Sequence, residues 1–249
     1  MPKLRISILV LCFFLVSPFS ADAQKAADEE VGLVYRKEAV GGLLLHTRGF
    51  GFHFRYGIQK TYLNKLSFGF DLVNMRSPKE IKVYNPTYDD GKGYFYGKMN
   101  GIIVFRPFIG SRRIVFQKLR DQGVEVGFNW GVGPSFSFAK PVYLQIIHLT
   151  QNDVIISDEK YDPVIHNTDN IYGRSNWGFG LSEMKTYIGG AVKFGLHFEF
   201  SPEEDLIRAF ETGMVLDVYP QKVPIMANDQ NKPYFLTLYL NFIFGRKYF

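Results

Sequence analysis

The last apolar stretch of the chain, residues 234–244, constrains the fold more than any other feature. Its odd-numbered positions mix polar and apolar side chains, with Thr237 and Asn241 among them. Because successive side chains of a β-strand point to opposite faces, the segment is predicted to be a strand with one wholly apolar face. At the end of a secreted chain, such a strand is typical of the one that closes a membrane β-barrel and leaves no unpaired edge in lipid. The apolar face consists of Tyr234, Leu236, Leu238, Leu240, Phe242 and Phe244.

The N-terminus has the pattern of a secretory signal peptide. Lys3 and Arg5 precede an apolar run over residues 6–16, and small residues surround a cleavage site after Ala23. The apolar run is too short to span a bilayer as a helix. The predicted domains are a signal peptide, residues 1–23, and an outer-membrane β-barrel domain, residues 24–249.

The composition of the mature chain limits the classes of protein to which it can belong. Its only cysteine, Cys12, lies in the signal peptide, so its stability must come from packing or from the membrane rather than from disulfides. Of the 24 phenylalanines, all but three follow residue 23, as do all 15 tyrosines and both tryptophans. This aromatic excess is expected where a barrel meets lipid headgroups. The net charge of +5 is modest and no element carries a basic cluster, which argues against a nucleic-acid partner.

Eight segments are predicted to be strands, and most of them alternate with period two, although the alternation is poor in 39–47 and weaker in 99–109. In the clearest of them, residues 124–138, one row is apolar and the other contains Glu125, Asn129 and several small residues. A hydrocarbon-facing row opposite a polar or small row is the signature of a transmembrane strand. The predicted strands are residues 39–47, 50–58, 65–75, 99–109, 124–138, 187–200, 210–219 and 234–244.

The connections alternate between short and long. Residues 77–98, 139–184 and 220–232 are predicted to be outward-facing loops, and 141–156 to extend the barrel above the membrane. A basic turn is expected over 110–123, and a capped helical turn over 201–208. At the C-terminus, Phe249 is out of phase with Phe244, which predicts either a bulge at Gly245 or a tail after Phe244.

The even strand number and alternating connections resemble the small eight-stranded outer-membrane barrels of Gram-negative bacteria. Three blocks are similar to those of an uncharacterised barrel family from the Bacteroidota: residues 46–49 (HTRG), 94–98 (YFYGK) and 139–143 (AKPVY). The resemblance implies an all-β fold, an eight-stranded antiparallel transmembrane β-barrel with long extracellular loops, in the outer membrane.

The inward rows carry charges of both signs, which predicts ion-paired filling of a narrow barrel. The alternative is a proton path or a narrow solute pore lined by Arg55, Glu125 and Lys193. A soluble lipocalin-like barrel is disfavoured, because its interior would be apolar. The predicted interior network comprises His53, Arg55, Asp71, Glu125, Lys193, His197, Glu199, Glu211 and Asp217.

No catalytic motif, cofactor or metal site is predicted. His166, near Asp162 and Asp169, is the best candidate for activating a water, so an outer-membrane hydrolase or acyltransferase that uses His166 or His148 stays open as an alternative. Calcium binding at residues 89–91 (DDG) also stays open, although the spacing is not that of an EF-hand.

The leading hypothesis is a non-enzymatic structural or accessory subunit of the outer membrane. Its external loops are expected to contact outer-membrane lipids including lipopolysaccharide, or a larger outer-membrane protein complex. The candidate contact residues are Tyr94, Phe95, Tyr96, Tyr143, His166 and Trp177.

Overall fold

The computed structural model describes residues 37–249 except 89, 119–122, 150–152, 202, 204 and 228–230. The predicted signal peptide, 1–23, and its cleavage site lie outside the described residues. The described chain is all-β, with thirteen strands. None of its segments is a helix long and apolar enough to cross a membrane.

Eight strands close into an antiparallel barrel, which confirms the predicted fold class. Each strand pairs with its neighbours along the chain, and β1 pairs with both β2 and β13, so no barrel edge is left unpaired. The barrel strands are β1 (Lys37–His46), β2 (Gly49–Gln59), β3 (Asn64–Met75), β6 (Asn100–Phe116), β7 (Glu125–Pro141), β11 (Lys185–Glu199), β12 (Leu206–Val218) and β13 (Tyr234–Tyr248).

Exposure alternates along the barrel strands as the sequence predicts. In β13 the even positions from Tyr234 to Phe244 are exposed and the odd positions are buried. The same alternation holds in β2, where Phe52 is 61% exposed and His53 is 2% exposed. The barrel is therefore apolar on its outer wall and rich in polar groups inside, the inverse of a soluble barrel.

Small inward residues make room for large ones. A Cβ atom at Gly195 would lie 2.2 Å from the hydroxyl of Tyr239, a buried side chain that reaches it from β13, two strands away in the barrel. Glycine at this position therefore lets a large polar side chain fill a narrow interior.

Three predictions about strand ends are wrong. Residues 110–116 continue β6 instead of forming a basic turn, because their inward positions find partners inside the barrel. Residues 206–208, predicted as part of a helical turn, belong to β12. The closing strand has neither a bulge nor a tail: its pairing with β1 runs unbroken through Gly245 to Tyr248, since residues 37–39 begin β1 early enough to pair with it.

The two ends of the barrel differ. The turn end carries the connections 60–63, 117–124 and 200–205. The loop end carries 76–99, 142–184 and 219–233, together with the two-residue turn Thr47–Arg48 between β1 and β2. This tight turn needs a glycine, because Gly49 has φ of +151° and a Cβ there would overlap the side chain of Asn74.

The long connections fold into two small sheets beyond the barrel. β4 (Lys82–Val83) pairs with β5 (Tyr94–Phe95), and β8 (Tyr143–Leu149) pairs with both β9 (Val154–Lys160) and β10 (Ile171–Arg174). Residues 143–149 therefore leave the barrel and form a separate sheet, whereas β7 itself reaches Pro141. The shared core of these sheets consists of Tyr94, Leu144, Ile146, Tyr161 and Ile171.

Candidate functional site

The barrel lumen holds a balanced set of buried charges. Among the described residues, five cations and five carboxylates are buried. Opposite charges that share hydrogen bonds offset much of the cost of removing each from water. The cations are Arg55, Lys65, Arg106, Arg112 and Lys193, and the carboxylates are Glu38, Asp71, Glu199, Glu211 and Asp217.

Glu211 is the centre of this network. One oxygen accepts hydrogen bonds from Arg55 Nη1 at 2.8 Å, and the other accepts from the hydroxyl of Tyr239 at 2.8 Å. The ammonium of Lys193 lies 3.4 Å from the same carboxylate, and His197 Nδ1 lies 3.6 Å from it. Four side chains from three other strands, β2, β11 and β13, therefore converge on a single carboxylate.

Two further carboxylates bind cations in the loop-end half of the lumen. Asp71 pairs with His53 at 2.5 Å and with Lys193 at 3.2 Å. Asp217 accepts two hydrogen bonds from the guanidinium of Arg106, at 2.8 and 2.7 Å, and a third from Ser135 at 2.8 Å. This bidentate geometry fixes the orientation of the arginine.

The network contains partners that the sequence interpretation missed. Glu38 accepts from Lys65 at 2.9 Å and from Arg112, whose guanidinium also lies 2.6 Å from His197 Nε2. Arg112 was assigned to a solvated turn, yet its side chain is fully buried. Arg106 and Arg112 lie an even number of positions apart on β6, so their side chains point to the same face of the strand. This spacing is the sequence signal that would place Arg112 in the lumen.

Two of the predicted interior acids lie at the turn end. Glu199 is 1% exposed and pairs with Lys247 at 2.7 Å, while Glu125 is half-buried. The two glutamates are direct cross-strand neighbours in β11 and β7. Like charges placed opposite each other destabilise a sheet, and Lys247 offsets this repulsion.

The loop end of the lumen is apolar and closed. The connection 219–233 folds over it, and its Ile225 carbonyl accepts from the backbone N–H groups of Met99 and Asn100 at 2.9 and 3.3 Å. The side chain of Asn100 also donates to the carbonyl of Pro224 at 2.7 Å. The resulting core joins inward strand residues to this cap: Leu44, Val73, Met75, Ile102, Val104, Ala139, Val215, Tyr219, Val223, Ile225, Met226, Phe235 and Tyr239.

The residues named for a solute pore do not line an open path. Arg55 and Lys193 are engaged with Glu211 and Asp71, and the cavity between them has a volume of about 10 Å³. A cavity of this size holds about one water molecule. Glu125 lies apart from them at the turn end.

The loop residues predicted as contacts divide into two groups. Trp177 is 66% and Tyr96 41% exposed, while Phe95 and Tyr143 are half-buried. Tyr94 and His166 are buried, at 1% and 3% exposure, so their assignment as surface contacts is wrong. Both lie against the core of the loop sheets, which the sequence pattern alone does not reveal.

The histidines considered for catalysis share one acid. Glu159 accepts from His148 Nε2 at 2.5 Å and lies 3.5 Å from His166 Nε2. The other ring nitrogen of His166 accepts the backbone N–H of Asp162 at 3.0 Å. With both nitrogens in contact with protein groups, His166 ties the loop to β9, an arrangement that does not favour the alternative in which it activates a water.

The described residues contain no group of three His, Cys, Asp or Glu side chains placed to hold a metal ion. In the segment 89–91, considered as an alternative calcium site, residue 89 lies outside the described residues.

Glu159 makes the loop sheet sensitive to acid. A hydrogen bond from Ser157, followed by the one from His148, lowers the pKa of Glu159 from its ordinary value of 4.5. A lowered folded-state pKa gives stability that is fully present above pH 4.5 and is lost as the pH falls through the lowered value. Since Glu159 is about one-third exposed, we expect an effect below about 1 kcal/mol.

This prediction is checked by hydrogen-exchange protection of β8 and β9, corrected for intrinsic exchange, in the wild type and Glu159→Gln. The protection difference between the two proteins should be constant from pH 7 to 5 and should shrink below pH 4.5. A difference that persists at pH 2 would show that the carboxylate charge is not what stabilises the sheet.

Fold and polarity together define a class: a closed, eight-stranded transmembrane β-barrel with a lipid-compatible outer wall and an ion-paired lumen. A scan against protein-family models and a comparison with curated proteins found no match. Among solved structures, the chain is similar to neisserial surface protein A, at 8% identity and a TM-score of 0.42, over 86% of this chain and 97% of that one.

Two further solved structures are similar at comparably low sequence identity. The attachment invasion locus protein Ail of Yersinia pestis, in complex with the heparin analogue sucrose octasulfate, is 9% identical with a TM-score of 0.42, over 86% of this chain and 99% of that one. Acinetobacter baumannii CarO is 10% identical with a TM-score of 0.27, over 84% and 97%. Likeness at this level gives no information on a ligand or partner of the present chain.

Proposed function

We propose that the protein is an integral outer-membrane barrel that binds through its loop end, without enzymatic activity. Its ligand is lipopolysaccharide or a partner protein, and in the second case the barrel is an accessory subunit of a larger complex. In this arrangement the loop end faces outward and the turn end faces the periplasm, as is usual for barrels with one set of short connections.

The observation that supports this proposal is a contrast between the lumen, whose charged groups contact one another, and the loops, whose aromatic groups are exposed. The charged side chains of the lumen form ion pairs with one another, and the connection 219–233 packs over the loop end. The long connections, in contrast, fold into sheets that leave aromatic side chains at the surface, including Tyr84 at 59% and Trp177 at 66% exposure. Exposed aromatic residues on an ordered scaffold are typical of binding surfaces.

The function is tested by affinity purification of the tagged protein from gently extracted outer membranes. In a loop variant, the exposed aromatics Tyr84, Tyr96 and Trp177 are replaced by alanine. We expect a stoichiometric lipopolysaccharide or protein partner with the wild type and its loss in the loop variant.

A matched control replaces exposed aromatics at the turn end, Tyr62, Phe116 and Tyr248. This variant should retain the partner. Equal recovery of the partner with all three proteins would contradict binding through the loop end.

A further inference from the structure

A cleft of about 630 Å³ opens at the loop end, on the outer wall of the barrel. Its floor is made by the ends of β3, β6 and β7, where Asn74, Ile103 and Lys140 occupy outward positions. Its other walls come from the connections 76–99 and 142–184. The cleft therefore faces the surroundings of the barrel and not its lumen.

The charge of this cleft is one-sided. Five cations line it, namely Arg76, Lys92, Lys98, Lys140 and Arg174, and none of the described lining residues is a carboxylate. These five cations concentrate positive electrostatic potential in the cleft. A concave site with low-dielectric walls strengthens such a potential.

Two of these cations have structural roles. The ammonium of Lys140 donates to the carbonyls of Trp177 and Phe179, both at 2.8 Å, and Lys98 pairs with Glu80 at 2.7 Å. The side chains of the other three are exposed and have no anionic partner in the described part of the chain. The cleft therefore presents three cations that are free to bind an anion: Arg76, Lys92 and Arg174.

Directly beside the cations, the outer wall becomes apolar. Lys140 lies opposite Gly101, and four residues further from the loop end Phe136 lies opposite Phe105. At about 3.3 Å per residue, this places the aromatic pair roughly 13 Å below the cation. Phe105 contacts both Phe70 and Phe136, with ring centroids 5.5 and 6.4 Å apart, so an aromatic stripe runs across β3, β6 and β7 on the outer wall.

A tryptophan lies at the border between the two zones. The ring of Trp177 is 5.3 Å from the Lys140 ammonium, and its side chain is 66% exposed. Indole rings favour the headgroup level of a bilayer, with one face apolar and the N–H in a polar environment. The exposed Trp177 beside Lys140 therefore supports an assignment of the cleft to headgroup depth.

From this arrangement we propose that the cleft binds the phosphate-bearing headgroup of a lipid in the surrounding leaflet, with its acyl chains packed against the Phe70–Phe105–Phe136 stripe. The proposal rests on the function and orientation proposed above, and it names the ligand class. Arg76 and Arg174 bind phosphate oxygens through their planar guanidinium groups, and Lys92 adds a point charge. The apolar stripe selects a lipid over a soluble phosphate, since only a lipid fills both zones.

The test uses the intrinsic fluorescence of the cleft. The chain has two tryptophans, so a Trp130→Phe background leaves Trp177 as the only one. The protein is folded into phosphatidylcholine nanodiscs that contain increasing fractions of diphosphorylated lipid A. We expect a saturable change in Trp177 emission. The triple variant Arg76→Gln, Lys92→Gln, Arg174→Gln should require a higher lipid A fraction, by roughly fivefold for each cation removed.

The matched control removes the same charge at the same end of the barrel, outside the cleft, with Lys185→Gln, Lys222→Gln and Lys232→Gln. This variant should titrate like the parent. An equal loss in both triple variants would show that only the net charge of the loop end matters, and would overturn the cleft proposal. If free pyrophosphate produced the same emission change at similar concentrations, the site would be one for soluble phosphate and the lipid assignment would be wrong.

Failure of this proposal is distinct from failure of the proposed function. If Trp177 does not respond to lipid A but the loop end still captures a protein partner, the cleft assignment is wrong and the binding function stands. If protease added to whole cells leaves the 142–184 connection uncut but cuts it after the outer membrane is opened, the orientation is wrong, and both proposals fall together.

Discussion

Glu211→Gln is expected to destabilise the barrel by about 3–5 kcal/mol, because it leaves buried cations without their counter-charge. Arg55 donates to Glu211 at 2.8 Å, and no other carboxylate is recorded as its partner within the described chain. Glutamine keeps the size of the side chain, so the loss reflects charge and not a cavity. The measurement is the free energy of unfolding in urea, from tryptophan fluorescence of the protein folded into lipid vesicles.

Two controls separate this effect from a general one. Asp158→Asn makes the same chemical change at an exposed position of β9 and should alter stability by no more than about 0.5 kcal/mol. Glu211→Gln combined with Arg55→Met removes both charges and should recover part of the loss. If the single and double variants were equally unstable, the ion pair would not be the cause.

Phe194→Arg is expected to cost about 2–4 kcal/mol, since it places a charge near the middle of the outer wall. Phe194 lies near the centre of β11, opposite Trp130 and Met214 on the neighbouring strands. Val218→Arg, at the loop end of β12, should cost only about 0–1 kcal/mol, because an arginine there reaches the headgroups. The unfolding free energies are measured in the same vesicles as above.

This comparison tests membrane insertion because the two positions are equally exposed, at 45% for Phe194 and 51% for Val218. Around a water-facing barrel, arginine at either site would have a similar effect. Phe194→Leu serves as the baseline, since it removes the ring contact with Phe128 without adding charge. Equal costs at the two depths would contradict a lipid-facing outer wall.

The strand pattern of the barrel follows from sequence alone. A transmembrane strand has one row in hydrocarbon and one row in a polar lumen, so period-two alternation is strong in segments such as 124–138 and 234–244. The strand ends were harder to predict, because beyond the hydrocarbon region the outward row also becomes polar. Arg113 and Arg246 lie on such outward rows, in β6 and β13, within segments for which the sequence pattern predicts a turn and a possible tail.

The alternation of side chains along a strand predicts which of them point into the lumen, but it does not predict which residues they contact there. The inward position of Glu211 was evident, whereas its convergence with Arg55 and Tyr239 depends on how the barrel closes. Glu38 and Arg112 are 74 residues apart in sequence and pair across the lumen. Nothing local to either residue encodes that contact.

The loop residues show the same limit. Residue type and exposure are poorly coupled outside regular strands. Tyr94 is buried against residues of β8 and β10, and His166 is buried beside Tyr161, which belongs to the same core. The cationic cleft likewise gathers Arg76, Lys140 and Arg174 from three separate segments.

The sequence by itself determined the all-β class, the number of barrel strands, and which face of each strand is apolar, because these follow from a two-residue period set by backbone geometry. Only the tertiary structure decided which charges pair in the lumen, how the connection 219–233 caps it, and where free cations meet the apolar wall. Those features depend on contacts between residues distant in sequence, which barrel closure and loop packing bring together.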